Sequence, residues 1–236
     1  DEDRVVKLID KLQYFDYDKI LNKIRKTVQK PSVLVTGGTG VGKSSLINRL
    51  FGMDAAPTGS GRSVTEHIAR YEPEHSDVIL YDTRGYETGE EKQDKFYKEV
   101  IGFVKEANQQ SDVTKHVHLT WYCISAANKR VVPADLTAVA ALSGLTKVCI
   151  VLTQIDSATV VELDEMKAAL AEKLPETKVF AVSLDPRIPE EMVQWETLIE
   201  WSVDQLDSGL QLAFAQALGQ ELRIKHLQAD QLIHRY

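Results

Sequence analysis

The chain has 236 residues, 43% of them hydrophobic and 27% charged, which suits one globular domain with appendages and a full-sized core. Its net charge of -7 excludes a broad nucleic-acid surface, which needs clustered Lys and Arg, and leaves room for an acidic small molecule held by a local site. No apolar run approaches the roughly 20 residues that cross a bilayer, and D-E-D-R-V-V at the start has no signal-peptide character. Cys123 and Cys149 each sit in an apolar run and read as buried, reduced thiols, so a cytoplasmic setting is expected. With no initiator Met, the chain is expected to be a fragment or a processed form.

Residues 4–29 carry Val5, Leu8, Ile9 and Leu12, then Ile20, Leu21, Ile24 and Val28, at helical spacing, which predicts one or two amphipathic helices ending before Pro31. From there short strand-like runs alternate with helical patterns. The strands are V-L-V-T, E-H-I-A-R-Y, D-V-I-L-Y, L-T-W-Y-C-I-S, K-V-C-I-V-L-T and K-V-F-A-V-S. Several are apolar throughout, as expected for strands covered by helices on both faces. Helices are predicted over 43–52, 92–108, 134–143, 162–173 and 189–206, with a last amphipathic helix after Ser208 and Gly209. The pattern predicts an α/β fold, a doubly wound, mostly parallel sheet. Three regions are expected: a helical segment over 1–30, a nucleotide-binding domain over 31–187, and a helical extension over 188–236 that leads toward a further domain.

Between the first strand and first helix lies G-G-T-G-V-G-K-S, Gly37 to Ser44. In G-x-x-x-x-G-K-S the backbone of Gly37, Gly38, Thr39, Gly40, Val41 and Gly42 turns its N–H groups inward around a β-phosphate, and the helix that begins with Ser44 and Ser45 adds its N-terminal dipole. Lys43 supplies a point charge to the β- and γ-phosphates, and the Ser44 hydroxyl suits Mg²⁺. Downstream, V-I-L-Y ends in D-T-R-G. There Asp82 reaches Mg²⁺ through water, and the Gly85 N–H meets the γ-phosphate. A later strand ends in Thr153-Gln154-Ile155-Asp156. A carboxylate accepts hydrogen bonds from the N1–H and exocyclic amine of guanine, whereas adenine offers an acceptor at N1, so Asp156 favours guanine. Ser183 ends the last strand, where a loop N–H meets the guanine O6.

These stretches, in this order, resemble the translation-factor-related P-loop GTPases, in particular their Era-like and dynamin-like branches. G-G-T-G-V-G-K-S-S-L-I-N-R-L-F-G is similar to their phosphate loop and first helix, D-T-R-G to their D-T-P-G, and T-Q-I-D to their N-K-x-D or T-K-x-D. The resemblance covers about residues 31–185. It implies a switch that binds GTP with Mg²⁺ and hydrolyses it to GDP. It also implies a threonine before the second strand that completes the metal shell, which by position is Thr65, with Thr58 and Ser63 as the plainer alternatives.

Three departures from the family pattern bear on function. Gln154 replaces the lysine whose stem covers the purine, so guanine selectivity is expected to survive with reduced affinity. Tyr86 stands where Ras-like members place the glutamine that orients water, which implies slow intrinsic turnover. Arg62, three residues before Thr65, has a spacing similar to that of the built-in arginine finger of heterotrimeric G-protein α-subunits. Its plainer reading is a solvated loop arginine, and Arg84 is a second candidate. Gly40 replaces the asparagine of potassium-dependent relatives, so potassium activation is not expected.

Two readings stay open: a slow Mg²⁺-dependent GTPase switch, or a GTP-regulated module that dimerises across the nucleotide face or scaffolds a partner, with negligible hydrolysis unless assisted. The helical ends either pack on the parent domain or form a lever or a membrane-proximal bundle, so a location peripheral to a membrane is also considered. Nucleic acid is not an expected partner.

Overall fold

The computed structural model describes residues 30–52, 62, 63, 65, 67–72, 78–85 and 90–218. The helices expected over 4–29, Thr58, Tyr86 and the chain past 218 lie outside the described residues. Among those described, seven strands form one sheet: β1 (Ser32–Gly37), β2 (Arg62–Ser63), β3 (Ile68–Tyr71), β4 (Ile79–Thr83), β5 (Leu119–Ser125), β6 (Lys147–Thr153) and β7 (Lys178–Ala181). Their spatial order is β2-β3-β4-β1-β5-β6-β7. The pairings β4-β1, β1-β5, β5-β6 and β6-β7 are parallel, and the two at the β2 end are antiparallel. The sheet is therefore mostly parallel, as expected.

Among the described residues six α-helices accompany it: α1 (Lys43–Phe51), α2 (Glu90–Asn108), α3 (Pro133–Ser143), α4 (Val160–Lys173), α5 (Trp195–Asp204) and α6 (Ser208–Ala217). Apolar side chains from successive strand positions point to opposite faces, so the continuous run in β5 feeds two cores. Trp121 and Cys123 join a cluster with α1, α5 and α6, through Leu46, Leu50, Leu198 and Phe214. Tyr122 and Ile124 join the other, with α2, α3 and α4, through Phe96, Val139 and Leu163. Both cysteines are free and buried.

Local chemistry explains several boundaries. Helix α3 starts with Pro133 in its first turn, and α4 starts in a capping box in which Thr159 and Glu162 satisfy each other's backbone donors. Three expectations are corrected. The helix predicted over 189–206 is broken into a 3₁₀ turn at Glu190–Met192 and then α5. The break falls at Gln194, whose N–H donates to Ala181 O at 2.8 Å while its Oε1 accepts from Ala181 N at 2.9 Å, so this residue is tied to the end of β7. The strand predicted from Glu66 begins at Ile68, because His67 and Ile68 turn their amides onto the Thr65 hydroxyl. Arg62 and Ser63, read as loop, form the short strand β2 against Arg70 and Ala69. Among the described residues, no helix is long and apolar enough to cross a membrane.

Candidate functional site

In the parallel part of the sheet, the carboxyl ends of β1, β4, β5, β6 and β7 lie along one edge, and the loops that leave them carry the motif residues. The loop after β1 is held to its shape by close packing. A Cβ on Gly37 would lie 2.2 Å from the carbonyl oxygen of Cys123, and one on Gly85 would lie 2.7 Å from the Thr39 nitrogen. Only glycine fits at either place, and both adopt positive φ. The D-T-R-G loop therefore rests directly on the phosphate loop. Gly42, at φ 87°, turns the chain into α1.

Lys43 is buried, and its ammonium donates to Gly37 O at 3.2 Å and Gly38 O at 2.6 Å. Burial lowers its pKa, against the pull of the neighbouring Asp82 carboxylate. The thiol of Cys123 is itself pushed up to about 12 by burial, so it stays protonated. Ser44 Oγ donates to Asp82 Oδ2 at 3.4 Å, and the other carboxylate oxygen, Oδ1, is buried with no hydrogen-bond partner among the described residues. Burial raises the Asp82 pKa, against the pull of Lys43, Ser44 and the Thr83 amide. Paired with the Ser44 hydroxyl, an oxygen in that condition fits a hard divalent cation. A cavity of about 710 Å³ opens beside the loop, lined among others by Gly38, Thr39, Val41, Ser125, Asn128 and Arg130.

The loops after β6 and β7 form the other half. Thr153 donates to Val41 O at 2.6 Å, and Gln154 Nε2 donates to Gly40 O at 3.2 Å, so the T-Q-I-D stretch braces the phosphate loop from the side. Gln154 has φ 55°. It is held there by its second amide atom, Oε1, which accepts a short hydrogen bond from Ser125. Asp156 accepts from the Ser183 hydroxyl at Oδ1 and from Ser157 Oγ at Oδ2, 3.3 Å. Ser183 is fixed in turn by the Asp185 amide at 3.0 Å. The carboxylate expected to read guanine is thus oriented by two hydroxyls before any base arrives.

Thr65, expected to complete the metal shell, lies between β2 and β3. Its hydroxyl accepts from the amides of His67 at 3.3 Å and Ile68 at 3.1 Å, close to the Glu99 carboxylate of α2. Glu99 also takes the His67 amide at 3.1 Å and the His67 ring Nδ1 at 2.7 Å. The structure therefore brings together Gly37 to Ser45, Asp82, Gly85 and the Thr153, Gln154, Asp156 and Ser183 set. Thr65 is tied to α2 through His67, and Arg62 is paired into β2. Arg84 is exposed, with its amide donating to His67 O at 2.9 Å.

The sequence profile of the family described as "50S ribosome-binding GTPase" matches residues 32–154, over half of the chain. The chain belongs to this GTPase family.

Among curated relatives, the GTPase is 26% identical over 193 residues to Septin-2 of Rattus norvegicus and 27% identical over 190 residues to Septin-2B of Xenopus tropicalis. Those alignments take in 70% and 69% of this chain and 53% of each septin, so the chain spans about half the length of these relatives. Solved structures similar to it include a probable GTP-binding protein engB, at 18% identity and TM-score 0.48, covering 64% of this chain and 88% of that one. Aquifex aeolicus Era bound to GDP.AlF4- matches at 18% identity and TM-score 0.49, over 76% of this chain and 58% of that one.

Three residues of the GTPase's site were not singled out in the sequence. Ser125 ends an apolar strand beside the phosphate loop, and a polar residue in that place is a signal that strand-end reading would catch. Ser157, next to Asp156, is ordinary loop composition. Glu99 lies on an amphipathic helix rich in charge, where nothing in the local pattern distinguishes it from its neighbours.

Proposed function

We propose that the protein is a Mg²⁺-dependent GTPase that works as a slow molecular switch. The observation that carries this reading is the Ser44–Asp82 pair beside buried Lys43, with one buried carboxylate oxygen left without a partner among the described residues. Ser44 would ligate Mg²⁺ directly and Asp82 through water, and Thr65 would complete the shell in the GTP state. Bound there, the cation would neutralise charge between the β- and γ-phosphates. The protein's own groups do the rest. The loop amides from Gly37 to Gly42 and the Gly85 N–H cradle the phosphates, Lys43 leaves its two backbone carbonyls for them, and Asp156 orients the base with Ser183 alongside. The chemistry is attack of water on the γ-phosphorus with departure of GDP, and Tyr86 in place of a water-orienting amide supports a low intrinsic rate.

Nucleotide competition tests the base, and single-turnover hydrolysis tests the reaction. Asp156→Asn is expected to lose on the order of 100-fold in GTP affinity and to gain xanthosine triphosphate, whose C2 carbonyl accepts from an amide. Unchanged GTP affinity in that variant would end the assignment. Single-turnover rates measured over a range of protein concentrations separate two sources of assistance. A rate independent of concentration means a site complete within one chain, whereas a rising rate means one assembled between copies.

A further inference from the structure

We infer that Glu99 is a positioning residue that withholds Thr65 from the metal, and thereby sets how strongly the protein prefers GTP over GDP. The inference rests on the role proposed for Thr65 and deepens it. A threonine hydroxyl has one proton to donate and two lone pairs to accept with. Here the lone pairs meet the amides of His67 at 3.3 Å and Ile68 at 3.1 Å, and the His67 N–H is shared with Glu99 Oε1 at 3.1 Å. A metal ligand must offer a free lone pair. Coordination by Thr65 therefore requires at least one of these amide bonds to break and the residue to turn away from the helix.

Glu99 resists that movement from more than one side. The same carboxylate grips the His67 amide at 3.1 Å and the ring at 2.7 Å, and that ring stands edge-on against Phe96, one turn earlier on α2. His67 O in turn accepts the Arg84 amide at 2.9 Å, so the cluster fastens the segment before β3 both to α2 and to the D-T-R-G loop that leads into α2. Only a nucleotide with a γ-phosphate draws Thr65 to the metal. Opening the cluster therefore weighs on GTP and not on GDP, and a state-specific cost of this kind shifts relative affinities by its own size.

The test uses the full chain and four variants: Glu99→Ala, Glu99→Gln, Thr65→Ala and the double Glu99→Ala/Thr65→Ala. Affinities for GDP and for a non-hydrolysable GTP analogue are measured with Mg²⁺, and amide hydrogen exchange at His67 and Ile68 is followed without nucleotide. Glu99→Ala should tighten the GTP analogue by about tenfold, the scale of a hydrogen bond to a charged group, with GDP affinity unchanged and faster exchange at His67. Glu99→Gln keeps an acceptor without the charge and should move the same ratio in the same direction by less. It decides the matter if the alanine variant does not fold. With Thr65 already removed, Glu99→Ala should leave the ratio where Thr65→Ala set it. A ratio that is unchanged or falls on loss of Glu99, while Thr65→Ala lowers it, overturns the inference and leaves the Thr65 role standing. A ratio untouched by Thr65→Ala strikes out that role and the inference with it.

Discussion

Asp82 carries two opposed demands on one carboxylate. Without nucleotide, burial makes the charged form costly and raises the pKa, and one oxygen finds no donor among the described residues. For a folded-state pKa above the unfolded value, the favourable contribution of the protonated acid is present in full below the unfolded pKa and is lost as pH rises through the folded one. At neutral pH the ionised group therefore lowers the stability of the nucleotide-free protein, while under the proposed function the same charge serves the cation. Asp82→Asn is expected to melt higher without nucleotide, by about 2–4 °C for a gain of ~1 kcal/mol. It should also lose the Mg²⁺-dependent part of its GTP affinity. Thermal melts at neutral pH and nucleotide titrations with and without Mg²⁺ check both halves, and the difference in melting temperature should shrink as pH falls below about 4. A variant that melts lower at neutral pH would contradict the argument.

Between elements, a buried polar knot fixes α2 against the sheet. Tyr97 of α2 and Tyr122 of β5 lie 2.8 Å apart through their hydroxyls, and both donate to Asp135 Oδ1 in the first turn of α3, at 3.1 and 2.7 Å. Burial and the nearby carboxylate raise the Tyr122 pKa well above the ordinary value, so the phenol stays a donor. Tyr97→Phe removes one donor from a buried carboxylate and is expected to cost about 1–2 kcal/mol in denaturant unfolding. It should also raise hydrogen exchange along α2, whereas an unaltered unfolding midpoint would mean the knot contributes nothing. The sequence showed the elements on either side of this knot but not the knot itself. Strands β5 and β6 were legible residue by residue because unbroken apolar runs bounded by polar ends mark buried parallel strands. Helix α4 carried its capping signal locally. Strand β2, the interruption at Gln194 and the grip of Glu99 on His67 are all made by partners distant in sequence, and no local pattern encodes them. The loop from Gly37 to Ser44 and the T-Q-I-D stretch were legible for the opposite reason: each is a contiguous motif whose residue types and spacing are visible in the sequence itself.

At the scale of the whole molecule, α6 packs as part of the nucleotide-binding body. Phe214 is fully buried, edge-on to Phe51 and to Trp121 at centroid distances of 6.0 and 6.3 Å, and Phe51 stacks on Trp121. The next helix back is tied to the same ring, since Trp121 Nε1 donates to Ser202 Oγ at 3.1 Å. Phe51 closes α1, the helix whose first turn bears Lys43 and Ser44, so this aromatic group connects the far end of that helix to α6. Of the two alternatives for the last helix, packing on the parent domain therefore describes its residues up to Leu218. The boundary expected near residue 188 would then divide one cooperative unit, and we propose that the stable body runs through α6. Phe214→Ala should cost about 3–5 kcal/mol, as for other fully buried aromatic side chains. It should do so in a single unfolding transition that also releases bound nucleotide. Denaturant unfolding followed by Trp fluorescence and by a fluorescent guanine nucleotide reads both events on one sample. Two separated transitions, with nucleotide retained through the first, would mark α6 as an appendage instead.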